Sequence, residues 1–304
     1  MEGTFVNSIR GATRAIIAAF VLVAGSVLAT VTSVAGAAGA STPTSAFYLD
    51  LGASQSVGVQ PMAGSHHGQP TNRGYANDLV SIEAARGIAM QLTQLGCPGE
   101  ATTTMMSGKD RCYKAPNSQL AAAVAFLQSH QHETGLVTVE LGFNNVGHCL
   151  NSTSPGDFCL RHQIGVVSQQ LPQILSALRA AAGPNVTIIG LGHADPFLAN
   201  ALRGPSGVVS AKASLRAMLL LNSSLARVYS ASSVPMVDVA TTFKMTQTTP
   251  TFLAGVGTVP LNVAETCRLT WMCQQPPLGP NMHPNDAGYL AIAGAIAVVL
   301  PASW

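Results

Sequence analysis

Residues 47–61 read FYLDLGASQSVGVQP, an apolar run that stops at Gly52 and presents Ser54 two residues later. An apolar run bounded by glycine reads as a buried strand, here Ala46 to Leu51, and the glycine lets the backbone turn away sharply. A serine at such an exit is a candidate nucleophile, and capping of a following helix is its ordinary alternative. The choice depends on what the rest of the chain brings to the same end of the sheet.

Working outward, short apolar strands alternate with longer helical patterns, the signature of a parallel sheet covered on both faces. The further strands are Ala89 to Leu95, Leu136 to Leu141, Val186 to Leu191 and Pro235 to Val239. Between them lie YANDLVSIEAAR ending at Gly87, SQLAAAVAFLQSH, RHQIGVVSQQLPQILSALRAAAG and SLRAMLLLNSSLARVYS. Gly87 and Gly183 suit helix ends, and Pro172 predicts a kink or an early break in the third helix. His66 to Arg73 and Thr242 to Pro284 read as irregular, and long loops of this kind usually wall a site.

Composition narrows the function. The 304 residues carry a formal net charge of +2 and only 9% charged residues, far below the roughly 25% of an average domain. No Lys/Arg run supplies the electrostatic footprint of a nucleic-acid binder. At the N-terminus Arg10 and Arg14 precede AIIAAFVLVAGSVLAT and a run of small residues with cleavage options at Ala35/Ala37 or Ala38/Ala40. This is the layout of a secretory signal over residues 1–40, leaving 41–304 as one domain; an uncleaved membrane anchor is the competing reading. The apolar run near the C-terminus, AGYLAIAGAIAVVL, is shorter than a membrane span and reads as a core helix.

Six cysteines agree with export to an oxidising compartment. Sequence leaves their connectivity open, and pairing of neighbours is the economical arrangement: Cys97 with Cys112, Cys149 with Cys159, Cys267 with Cys273. Without a C-x-x-C or a close Cys/His set, no zinc site is expected. The adjacent His66 and His67 lack further ligands nearby and read as a solvated loop.

In parallel α/β sheets ligands bind beyond the carboxyl ends of the strands. The residues found there are Gly52, Ala53 and Ser54; then Cys97, Pro98, Gly99 and Glu100; then Gly142, Phe143, Asn144 and Asn145, with His283 preceding the final helix. Acyl transfer from an ester needs a hydroxyl, a base and donors aimed at the oxyanion. Ser54 supplies the hydroxyl and, at the start of a helix, a backbone N–H; Gly99 supplies a second N–H, Asn144 a side-chain amide, and His283 the base. Glu100 and Asp195 also follow strands, with structural hydrogen bonding as their expected role, and Asp286 suits the positive end of the last helix.

Four blocks, LGASQSVGVQP, CPGEATTT, ELGFNNVGHC and NMHPNDAGY, stand in the order that resembles the SGNH (GDSL-type) hydrolases, notably the secreted actinobacterial-like esterase and lipase branch. The resemblance runs from Ala46 to the C-terminus and includes LTWMCQQPPLGP. It implies a three-layer α/β/α flavodoxin-like fold with a five-stranded parallel sheet and no metal or organic cofactor. It also implies a serine esterase or lipase with Ser54 as nucleophile, His283 as base, and Ser54, Gly99 and Asn144 at the oxyanion. The expected partner is a small-molecule or lipid ester taken by a monomeric, secreted or envelope-located chain.

Two positions depart from the family's spelling, each by losing a carboxylate. The usual Gly-Asp-Ser is Gly52-Ala53-Ser54, which removes a group that helps hold the loop. The acid normally two or three residues before the histidine is replaced by Asn281 and Pro280. A serine-protease triad loses about 10⁴ in kcat when its aspartate becomes asparagine, because the histidine adopts the wrong tautomer. A main-chain carbonyl between Leu278 and Met282 avoids that fault and is the expected partner of His283. The alternative function is a secreted binding protein on a decayed hydrolase scaffold.

Overall fold

The computed structural model describes residues 44–63, 65–150 and 157–301; the proposed signal, residues 1–40, lies outside them. The central sheet consists of β1 (Thr44–Gly52), β4 (Ile88–Gln94), β5 (Gly135–Glu140), β6 (Val186–Leu191) and β7 (Met236–Val237) in the order β4-β1-β5-β6-β7. All pairings are parallel, with Gly52 level with Glu140 and Asp50 level with Gln94. Tyr48, Leu49 and Leu51 are wholly buried, as is all of β5, which is why these strands read as near-continuous apolar runs.

Helix α1 (Tyr75–Ala85) ends where Gly87 takes φ +86°, and it packs beside α9 (Asp286–Val299). Helices α3 (Gln119–Ser129), α5 (Asp157–Ala181) and α6 (Pro205–Ala231) pack in succession as the second layer. Short helices α2 (Thr102–Ser107), α4 (Phe143–Leu150) and α7 (Val239–Thr242) respectively precede α3, precede α5 and follow α6 along the chain. The sheet, counted by its own strands in chain order, is 2-1-3-4-5, the flavodoxin-like arrangement whose switch point falls between the first and third. Those strands are β1 and β5, which deliver Ser54 and Asn144.

Several expectations are corrected. Helix α5 runs through Pro172 without a break, since packing of its buried face (Val167, Leu171, Ile174, Leu175, Leu178) outweighs one lost backbone bond. The segment 66–73 is partly ordered as β3 (Ser65–Gln69), antiparallel to β2 (Gln60–Met62). The late segment 242–284 contains a hairpin of β8 (Pro250–Leu253) and β9 (Gly257–Pro260), helix α8 (Leu261–Leu269) and the short 3-10 turn Trp271–Cys273. These elements are too short to impose a readable period.

Disulfides join Cys97 to Cys112, Cys149 to Cys159 and Cys267 to Cys273. The first bridges a separation of 15 residues, for which loop-closure entropy gives about 3 kcal/mol. Among the described residues no helix is long and apolar enough to cross a membrane.

Candidate active site

The exit from β1 is set by contact and conformation together. Gly52 has φ +144°, and a Cβ there would stand 2.3 Å from the Glu140 carbonyl oxygen. Its peptide is gripped from both sides by Gln119, whose Oε1 accepts from Gly52 N at 2.8 Å while Nε2 donates to Gly52 O at 3.0 Å. Gln119 Nε2 also donates to Glu100 Oε2 at 2.8 Å, tying this exit to the loop that carries Gly99.

Ser54 does not begin a helix. It sits in a compact turn closed by Val59 N to Ser54 O at 3.0 Å, Gly58 N to Gln55 O at 3.1 Å, and the Ser56 hydroxyl to Ala53 O at 2.7 Å. The chain then enters the β2–β3 hairpin, and α1 starts only at Tyr75. Ser54 is therefore not the cap of a following helix.

Ser54, Asn144 and His283 line one small cleft, shared with Glu140 and the apolar Phe143, Pro196 and Met282. Among the described residues no direct hydrogen bond joins Ser54 to His283; such contacts often tighten only in the substrate complex. Asn144, in the first turn of α4, donates from Nδ2 to Glu100 O at 2.9 Å, which leaves its second amide hydrogen for the cleft. Gly99 is exposed at φ +92° and does not line the cleft, although it precedes the residue that anchors Asn144. Glu100 is fully buried, held by Gln119 and the Thr104 hydroxyl, and burial raises its carboxyl to about 7. Asp195 accepts from Phe197 N and the Ser214 hydroxyl, a structural role.

The partner of His283 differs from expectation. Asn281 Oδ1 lies 2.7 Å from His283 Nδ1 and 3.0 Å from the His283 backbone nitrogen. No main-chain carbonyl takes that place. The backbone N–H can only donate, so the Asn281 atom facing it must be the oxygen. An oxygen there accepts from Nδ1–H in turn, and Nε2 is left with the lone pair. The asparagine thus selects the tautomer in which Nε2 can accept a proton, which the loss of the carboxylate had put in question. Burial lowers His283 to about 4.

The loop bearing His283 is fastened by Trp271. Its N–H donates to His283 O at 3.1 Å, its carbonyl accepts from Asn281 N at 3.2 Å, and its indole N–H donates to Gln60 Oε1 at 2.6 Å. Gln60 Nε2 continues to Asp286 Oδ1 at 3.1 Å, and Arg73 pairs with the same carboxylate. Asp286 thus opens the last helix as expected and also links the β2 hairpin to the histidine loop.

Two buried residues absent from the sequence reading support this site, Glu140 lining the cleft and His193 packed against Glu140. Glu140, 2% exposed at the end of β5, accepts from Ala53 N at 3.0 Å through Oε2 and from the Ser56 amide. His193, wholly buried after β6, has Nε2 at 3.0 Å from Leu141 O and Nδ1 at 3.4 Å from Glu140 Oε1. A carbonyl only accepts, so Nε2 holds the hydrogen and Nδ1 turns a lone pair toward Glu140. Burial raises Glu140 to about 8 and lowers His193 to about 4. Burial thus favours the neutral form of both groups, and His193 Nδ1 makes no hydrogen bond among the described residues. The only sequence signal of the pair is a glutamate in an otherwise apolar strand, VTVEL.

A family model described as "GDSL-like Lipase/Acylhydrolase family" matches residues 51–291. Among solved structures the chain is similar to the extracellular lipase of Streptomyces rimosus, with 18% identity, TM-score 0.54, and coverage of 84% of this chain and 100% of that one. It is similar to phospholipase A1 of Streptomyces albidoflavus NA297, with 19% identity, TM-score 0.54, and coverage of 83% and 98%. A third likeness is to the lipase Lip_vut3 from a goat rumen metagenome, with 14% identity, TM-score 0.52, and coverage of 83% and 96%. At these identities the likeness is one of fold. No curated protein matches the sequence.

Proposed function

The chain belongs to the GDSL-like lipase/acylhydrolase family, and from that membership we propose that it is a secreted serine hydrolase of carboxylic esters working through an acyl-enzyme with a Ser54–His283 dyad. Ser54 Oγ attacks the ester carbonyl as His283 Nε2 takes its proton. Backbone amides of Ser54 and Gly99, with Asn144 Nδ2, hold the oxyanion. Collapse expels the alcohol, which receives the proton from His283. Water, deprotonated by the same Nε2, then attacks the acyl-enzyme; the Ser54 Oγ–acyl bond breaks, the acid is released, and Oγ regains its proton from His283.

The observation that carries this reading is the single cleft lined by Ser54, Asn144 and His283, with Asn281 presetting the tautomer of the base. Gly99 is assigned as a donor from the family resemblance alone, since it is exposed and does not line the cleft. Export in residues 41–304 is supported by the three disulfides and the signal-like layout of residues 1–40. A fluorophosphonate probe tests the proposal. Labelling of the wild type that disappears in Ser54→Ala is expected; a folded, unlabelled chain would instead favour the binding-protein reading that Ala53 and Asn281 motivate.

A further inference from the structure

Ala53 brings no side-chain acceptor to its own turn, yet its backbone N–H and that of Ser56 are buried on either side of Ser54. Buried amides of this kind need a partner. The partner comes from 87 residues away: Glu140 Oε2 accepts from Ala53 N at 3.0 Å, and the Ser56 amide bonds the same carboxyl. Glu140 also lines the cleft, and its strand neighbour in register is Gly52. Behind it His193 is fixed by Leu141 O and turns Nδ1 toward Glu140 Oε1.

We propose that Glu140 is the positioning residue of the nucleophile turn, holding Ser54 in line through the Ala53 and Ser56 amides, with His193 packed behind it. This rests on the hydrolase reading above. Hydrogen bonds on both sides of Ser54 fix the backbone from which its side chain projects toward Asn144 and His283. Glu140 turns Oε2 to the Ala53 amide, while Oε1 lies 3.4 Å from His193 Nδ1 without a hydrogen bond. A glutamine side chain presents an acceptor oxygen to the turn in nearly the same shape. An aliphatic side chain presents no acceptor.

The test compares Glu140→Gln with Glu140→Val in the full-length chain, using steady-state hydrolysis of a short p-nitrophenyl ester and the rate of fluorophosphonate labelling. Glu140→Val is expected to lower kcat and labelling by about 10²-fold, the cost of a misplaced reacting group, with KM nearly unchanged. Glu140→Gln recovers most of that loss. Wild-type kcat in Glu140→Val, a loss expressed in KM alone, or a glutamine variant as impaired as the valine one overturns the role. Where Glu140→Val does not fold, Glu140→Asp decides, because it keeps the acceptor but withdraws it by one methylene. A lowered kcat at constant KM supports the role, and a wild-type kcat removes it. A wild-type chain that neither labels nor hydrolyses ester overturns the hydrolase reading and this role together. Wild-type labelling at Ser54 that is unaltered in Glu140→Val overturns this role alone.

Discussion

Asn281 and His283 are joined twice through one oxygen, which accepts from His283 Nδ1 at 2.7 Å and from the His283 backbone nitrogen at 3.0 Å. The second bond fixes the amide orientation and so gives the first its direction. In the proposed dyad Asn281 therefore performs the orienting half of an acid's work, without the charge that stabilises an imidazolium.

That division sets the expected outcome of Asn281→Asp. The tautomer is already correct, so the gain is the charge term alone, about one pKa unit or more for a carboxylate in contact with imidazolium. Steady-state kcat/KM at neutral pH is expected to rise about tenfold. Asn281→Leu, which removes the acceptor, is expected to lower it. An aspartate variant equal to or slower than wild type would count against the assignment.

The pH profile follows from burial of the base. Burial lowers His283 from 6.5 to about 4, and in the proposed dyad only its neutral form accepts the serine proton. The acid limb of kcat/KM is expected to fall near pH 4, with activity level above about pH 5. In Asn281→Asp the limb moves upward, because the new charge favours the protonated ring. An acid limb centred near 6.5 in the wild type would contradict this.

Stability should run opposite to the usual carboxylate pattern. Burial raises Asp50 from 3.8 to about 7, Glu100 and Glu140 from 4.5 to about 7 and about 8, and Asp195 from 3.8 to about 6. The folded state therefore keeps protons that the unfolded chain releases, and stability is lost as pH rises through the folded values. His193 and His283, both lowered to about 4, act in the other direction between pH 6.5 and 4, but two groups oppose four. The melting temperature in calorimetry is expected to fall from pH 5 to pH 8.

Gly52→Ala probes the strand exit. Its methyl would meet the Glu140 carbonyl at 2.3 Å, and φ +144° is foreign to an L residue. The combined clash and backbone strain is expected to cost about 3 kcal/mol or more. Chemical denaturation measures it, and a change below about 1 kcal/mol would show that the turn can move aside.

The elements legible in sequence were those with length and period. FYLDL, LVTVEL and VTIIGL read as strands because both faces are buried, and SQLAAAVAFLQS read as a helix with Ser118 accepting from Ala121 N at its start. Short hairpins such as Gln60–Gln69 and Pro250–Pro260 did not, because three to five residues per strand carry too little pattern. The helix after Ser54 was misjudged for the same reason, since a turn and a hairpin intervene.

Order along the chain by itself determined the strand–glycine–serine exit, the candidate residues Ser54, Asn144 and His283, and membership of the hydrolase family. Tertiary structure alone decided how those residues are held. Glu140 meets Ala53 only because β1 and β5 are neighbours in register, and His193 meets Glu140 only because β6 is next. Asn281 was in plain view two residues from His283, but which of its amide atoms faces the ring depends on backbone geometry pinned by Trp271. Hydrophobic periodicity is local and survives in a string of letters. Hydrogen-bond direction belongs to atoms brought together from distant parts of the chain, and it was there that the two missing carboxylates of Gly52-Ala53-Ser54 and Asn281 found substitutes.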